Sequence, residues 1–144
     1  MKPRTLLVAV LALSGLGDAL GGLWAAFDWR GASSLLAHVP DWEAQRRALR
    51  LGLADDALRQ LWANLGTALA ALGVGQLVAA AWVARGRTAG YDLARAIGWA
   101  LLFAGGVMAV TVPQLSSLLT ESLRGLVILA LAVWARTDRE RGAD

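Results

Sequence analysis

Three ionisable residues sit where charge is expensive. Asp18 interrupts an apolar run over residues 5–27, and Glu121 and Arg124 interrupt another over residues 114–135. A charge at the centre of a bilayer costs about 2.5–3.5 kcal/mol on insertion scales. Three left unpaired would cost on the order of 9 kcal/mol, comparable with a whole domain's stability. They are therefore expected to face the interior and compensate one another, or the acids to be protonated. Their spacing is coherent on helices: Glu121 and Arg124 are i, i+3, Ser117 is four before Glu121, Ser14 and Asp18 are i, i+4, and Asn64 and Thr67 are i, i+3.

Two kinds of chemistry fit these residue types. One is a buried network in which Arg124 pairs Asp18 and Glu121, while Asn64, Thr67 and Ser117 fill the remaining hydrogen bonds. The other is a polar cavity open to one side that takes a polar headgroup, a quinone, a small amine or a proton. Intramembrane ionisable groups point to function by default. The expected ligand-binding or proton-carrying set is Asp18, Asn64, Thr67, Ser117, Glu121 and Arg124. No catalytic residue is assigned; an isomerase using Asp18 and Glu121 as acid and base ranks below both readings.

The elements that must position this set are read from composition. Of the 144 residues, 57% are hydrophobic and 17% charged, against about 45–50% and 25% in soluble domains. That balance excludes a disordered tail, and the small basic excess, 14 against 11 acids, does not make a nucleic-acid-binding domain. With no cysteine, neither a disulfide scaffold nor thiol chemistry applies. About 20 apolar residues cross the hydrocarbon as a helix, and four stretches qualify: residues 5–27, 61–84, 93–112 and 114–135. The sequence predicts one all-α transmembrane domain, an integral membrane four-helix bundle, with an outer loop over 28–60 and a cytoplasmic tail over 136–144.

The connections agree. Arg85-Gly86-Arg87 is a polar, glycine-bearing turn, and Pro113 separates spans three and four, although 25 uncharged residues from Ala96 to Thr120 also admit one kinked helix. Lys2, Arg4 and the apolar run after them resemble a signal peptide with a cleavage site near Ala19-Leu20-Gly21. The run continues through Leu23, Trp24 and Phe27, so a retained span is expected. Bases number seven on the side of the termini (Lys2, Arg4, Arg85, Arg87, Arg136, Arg139 and Arg141) and five in the outer loop, which places both termini in the cytoplasm and the chain in the cell (inner) membrane. Trp24, Trp29, Trp42 and Trp62 then form an outer belt; Trp82, Tyr91, Trp99 and Trp134 form an inner one.

In the outer loop, Asp41 after Pro40 could cap a short interfacial helix carrying Trp42, Leu49 and Leu53 and ended by Gly52. Asp55 and Asp56 fall in the first turn of the next helix, where acid complements the dipole. His38, the only histidine, reads as a solvated loop residue. Gly17 and Gly21 form a GxxxG pair with Gly15 and Gly22 beside them, Gly66, Ala70 and Gly73 line one face of span two, and Gly98, Gly105 and Gly106 do similar work in span three, as packing surfaces. Gln76 stands alone on span two as a helix–helix hydrogen bonder. No metal, phosphate-loop or dinucleotide motif occurs, and no cofactor is expected: the glycines of Gly15-Leu16-Gly17-Asp18-Ala19-Leu20-Gly21 lie inside a span with no preceding strand.

The run Arg59-Gln60-Leu61-Trp62-Ala63-Asn64-Leu65-Gly66, the pair Gly105-Gly106 and the segment Glu121-Ser122-Leu123-Arg124-Gly125-Leu126, with the long first loop, resemble the small four-helix membrane proteins of the DoxX-like group. The resemblance implies a four-helix bundle; members of that group are membrane components of oxidoreductase systems or proteins of unknown function. It carries over no catalytic residue, and the cysteines of some redox relatives are missing here. The expected function is binding of a small hydrophobic or amphipathic, quinone-like ligand, or of a partner membrane subunit, with the lipid bilayer as surroundings and no nucleic acid. The rival expectation is a proton-coupled small-molecule transporter acting as a homo-oligomer, a dimer, through Asp18.

Overall fold

The computed structural model describes residues 2–28, 55–111 and 119–141. They form four helices: α1 (Pro3–Phe27), α2 (Asp55–Ala84), α3 (Thr88–Thr111) and α4 (Leu119–Arg141). Each packs on the next, and α1 closes on α4, giving an all-α four-helix bundle. Among neighbouring helices, contact is most extensive between α1 and α2, then between α3 and α4, and least between α1 and α4. Among the described residues two helices, α1 and the Trp62–Ala84 part of α2, are long and apolar enough to cross a membrane; α3 and α4 do not reach that measure.

The α1–α2 contact is backbone on backbone. A Cβ built on Gly73 would lie 2.3 Å from the Ala19 nitrogen, and one on Gly15 would lie 2.8 Å from the Gly73 carbonyl. One turn pair further out, a Cβ on Gly22 would lie 2.4 Å from the Ala70 nitrogen, and one on Gly66 would lie 2.5 Å from the Gly22 carbonyl. Gly15 meets Gly73 and Gly22 meets Gly66, so the helices run antiparallel. The seven-residue interval on each keeps the glycines on one line, because seven residues are close to two turns. The expected GxxxG pair is not this seam: a Cβ on Gly17 or Gly21 would meet nothing within 4 Å.

Between α3 and α4 the same device recurs once. A Cβ on Gly125 would lie 2.6 Å from the Gly98 carbonyl, and Gly106 lies opposite Ser122. Rising numbers on α3 meet falling numbers on α4, so these are two antiparallel helices and not one kinked helix. The residues around Pro113 lie outside the described set, as do the expected interfacial helix, Trp29, Trp42 and His38.

The α2–α3 turn is built by its glycine. Gly86 takes φ +71, a left-handed conformation that costs other residues roughly 1–2 kcal/mol. Its N–H donates to the Val83 carbonyl at 2.9 Å, and the Arg87 N–H to the Trp82 carbonyl at 2.9 Å, the paired bonds of a Schellman cap. Arg4 completes it from α1: its Nε donates to the Val83 carbonyl at 3.1 Å and its Nη2 to the Ala84 carbonyl at 2.5 Å. A cation here also complements the negative end of the α2 dipole.

Helix limits differ from the apolar stretches. α2 opens at Asp55, where Asp55 and Asp56 suit a helix start. α4 runs on to Arg141 through the charged stretch expected as a tail. There Arg136 pairs with Glu140 one turn on at 3.1 Å and with Asp92 of α3 at 2.8 Å. Glu140 first, then Asp92, hold the Arg136 guanidinium above its ordinary range. The residues expected in the aromatic belts differ in exposure. Trp24 is exposed and donates to Asp28 at 3.3 Å, and Trp134 is exposed near the other end. Tyr91 is instead fully buried, in the core with Leu7, Leu11, Val83 and Ile128, so it is no surface anchor. Trp99 stacks on Phe103 (ring centroids 5.5 Å apart) about 16 Å along α3 from Thr88, in mid-helix.

Candidate functional site

The half of the bundle that holds the start of α1 and the Gly86 turn is filled by apolar side chains, and the polar network begins where they stop. Asp18 projects from α1 one turn beyond Ser14 and is buried. Arg124 projects from α4, and its Nη1 donates to Asp18 Oδ1 at 2.8 Å. Its Nη2 lies 2.5 Å from Glu121 Oε2, one turn back on the same helix. The guanidinium therefore spans both acids, as a planar five-donor fork allows and an ammonium would not.

The other Asp18 oxygen is taken from α2. Gln76, with no exposed surface, donates from Nε2 to Asp18 Oδ2 at 2.6 Å. Its Oε1 accepts from the Ser14 hydroxyl, which also faces the Val10 carbonyl at 2.8 Å. The result is a chain of contacts, Ser14 to Gln76 to Asp18 to Arg124 to Glu121, across three helices. Side chains tilt toward their own helix N-terminus, and α1 and α2 are antiparallel. Gln76 and Asp18 thus lean toward each other from different levels of the seam.

The expected site set divides. Asp18, Glu121 and Arg124 come together. Asn64 and Thr67 do not join them: Asn64 is exposed and accepts from Gln60 at 2.9 Å, and Thr67 is exposed and donates to the Ala63 carbonyl at 2.8 Å. The reason is helical phase. At about 100° per residue, Asn64 points roughly 200° away from Gly66, which faces α1. Ser117 lies outside the described residues. Gln76 and Ser14 take the places given to Asn64 and Thr67. The glycine seam could have found Gln76, since it lies one turn beyond Gly73 on the side of α2 that meets α1. Ser122 is buried beside the cluster but donates to the Leu102 carbonyl at 3.1 Å, tying α4 to α3.

The network is uneven in its satisfaction. Both Asp18 oxygens accept well-formed hydrogen bonds. Arg124 Nε is buried with no hydrogen-bond partner, and the Arg124 Nη2–Glu121 Oε2 contact is close in charge but out of hydrogen-bond alignment. A buried donor left unmade costs about 1–3 kcal/mol. The chemistry of the site is thus one acceptor-poor guanidinium edge beside a half-exposed carboxylate. Among the described residues no three His, Asp or Glu side chains gather where a metal ion could sit.

No family model, curated protein or solved structure matches this chain, so the likeness to the DoxX-like group rests on the residues quoted for it.

Proposed function

We propose that the chain is an integral membrane protein of four spans with both termini cytoplasmic, and that it binds an amphipathic small molecule bearing a carbonyl-type acceptor at the Arg124 edge. The membrane reading is supported by the outward surface. Leu13, Phe27, Phe103, Val107, Leu123 and Trp134 are all more than half exposed, on every helix but α2, where Val74 is likewise exposed. A water-soluble bundle rarely leaves an apolar girdle of that extent uncovered, whereas lipid tails are its natural solvent. α3 and α4 cross as partners of the two more apolar helices, with Glu121 and Arg124 turned to Asp18.

The observation that carries the ligand reading is the buried, unpartnered Arg124 Nε. A quinone, ester or amide carbonyl supplies the acceptor this donor lacks, and its apolar body suits the surrounding helices. A partner membrane subunit could present the same acceptor. The proton-coupled dimer through Asp18 has weaker support, because Gln76 and Arg124 already occupy both carboxylate oxygens.

The test is a titration of the detergent-purified protein with a short-chain quinone, read by quenching of the seven tryptophans. Saturable quenching that Arg124→Lys weakens and Asn64→Ala leaves intact supports the site. Non-saturable quenching, or equal behaviour of both variants, removes it. Resistance of the protein to carbonate washing checks the membrane reading separately.

A further inference from the structure

The inner end of the bundle is electrostatically lopsided. Its acids, Asp92, Asp138 and Glu140, belong to the start of α3 and the end of α4. Two of them, Asp92 and Glu140, are engaged by Arg136. The opposite corner gathers Lys2, Arg4, Arg85 and Arg87, with no acid among the described residues there. The gathering is imposed by the fold. Arg4 is bonded to the last carbonyls of α2, and a Cβ on Gly86 would lie 3.8 Å from its Nη2. Lys2 is two residues away at the cap of α1, and Arg85 and Arg87 flank the Gly86 turn.

Not all four charges are equally free. Arg4 is partly neutralised by the α2 carbonyls it caps. Lys2, Arg85 and Arg87 are exposed and make no ion pair among the described residues. The first turn of α3, which follows Arg87 directly, carries no acid. On the membrane reading proposed above, on which this step rests, the corner stands at the headgroup level of the inner leaflet with apolar helix faces beneath it. Basic clusters at that level attract anionic lipid, by roughly a fivefold preference per base.

We propose that the corner formed by Lys2, Arg4, Arg85 and Arg87 is a binding site for the headgroup of an anionic phospholipid, whose chains lie along α1 and α2. The phosphate is held by the exposed bases of the α2–α3 turn, and Arg4 fixes that turn in place. The corner near Arg136 does not share the property, because its acids cancel its bases.

The probe is a mixed micelle of phosphatidylcholine and phosphatidylglycerol, with bound lipid counted by native mass spectrometry of the full chain. Wild type is expected to retain phosphatidylglycerol over phosphatidylcholine. Arg85→Gln with Arg87→Gln should lower that preference by about fivefold per base removed. Arg139→Gln with Arg141→Gln removes the same charge from α4 and should leave it unchanged. Equal loss in both double variants, or no preference in wild type, overturns the site. If the protein is stripped from membranes by carbonate, the membrane reading itself has failed; if it stays but shows no preference, only the lipid site has.

Discussion

Arg124 and Asp18 lie 106 positions apart in sequence and form an ion pair of 2.8 Å between α4 and α1. Their side chains are 22% and 10% exposed, so neither charge is well served by solvent. Breaking such a pair from one side leaves an uncompensated buried charge, at a cost of about 3–5 kcal/mol. Asp18→Asn and Arg124→Gln should each lower the unfolding free energy by about 3–5 kcal/mol, seen as a lower thermal midpoint. The double variant should lose less than the sum, with a coupling of at least about 1 kcal/mol. Strict additivity in a thermal double-mutant cycle would show that the two residues stabilise the bundle independently.

The glycines of α1 and α2 are expected to split into two classes. Gly73→Ala forces a methyl into the α1 backbone at Ala19, and Gly22→Ala forces one against Ala70; overpacking of this kind costs about 1–3 kcal/mol. Gly17→Ala and Gly21→Ala meet open space and should be neutral or mildly stabilising through helix propensity. A set of thermal melts decides it, and loss of stability in Gly17→Ala would place a second packing seam on that face.

Asn64 and Thr67 should prove dispensable to the polar network. Asn64→Ala and Thr67→Ala are expected to change stability by less than about 0.5 kcal/mol, as exposed substitutions do. Gln76→Leu removes the donor to Asp18 and should cost about 1–3 kcal/mol. The same melts, run side by side, would reverse the assignment if Asn64→Ala were the damaging change.

Arg4 should matter to a turn about eighty residues away. Arg4→Gln loses its grip on the Val83 and Ala84 carbonyls, and Gly86→Ala strains the same turn at about 1–2 kcal/mol. Both should speed hydrogen exchange at Arg87 and Gly90, whose N–H groups donate to the Trp82 and Arg87 carbonyls. Unchanged protection at these two amides in Arg4→Gln would mean that the Schellman cap holds without the side chain.

Arg136 offers a check on pH. A base held above its ordinary range in the fold contributes its increment fully below that range and loses it only as pH rises through it. The Arg136 cluster should therefore leave the thermal midpoint flat across neutral pH. A slope there that Arg136→Gln abolishes would contradict this expectation.

What was legible in advance followed physical cost. Three charges set in apolar runs are expected to find one another because isolation is so unfavourable, and Asp18, Glu121 and Arg124 do meet. Their hydrogen-bond company is less legible, because the i, i+3 spacing of Asn64 and Thr67 relates them to each other and not to the direction that Gly66, Ala70 and Gly73 face. Direction on a helix is set by phase, and the glycines carry the phase. In the same way, Gly17 and Gly21 make a local motif but meet nothing, while Gly15 and Gly22 beside them, at a longer interval, follow the antiparallel partner. Residue type suggests an interface for Tyr91, but its place next to Gly90 at the start of α3 puts it in the core.

The glycine seam also has a mechanical meaning. With backbone against backbone at two levels seven residues apart, α1 and α2 cannot slide by a residue without driving a methyl or larger group into a peptide plane. They behave as one stiff beam, and α3 with α4 as a second. The faces between the beams are lighter, and the α1–α4 face is the lightest of all. Arg124 and Asp18 sit across that face like a bolt across a door, so any parting of the two beams on that side has to begin by drawing it.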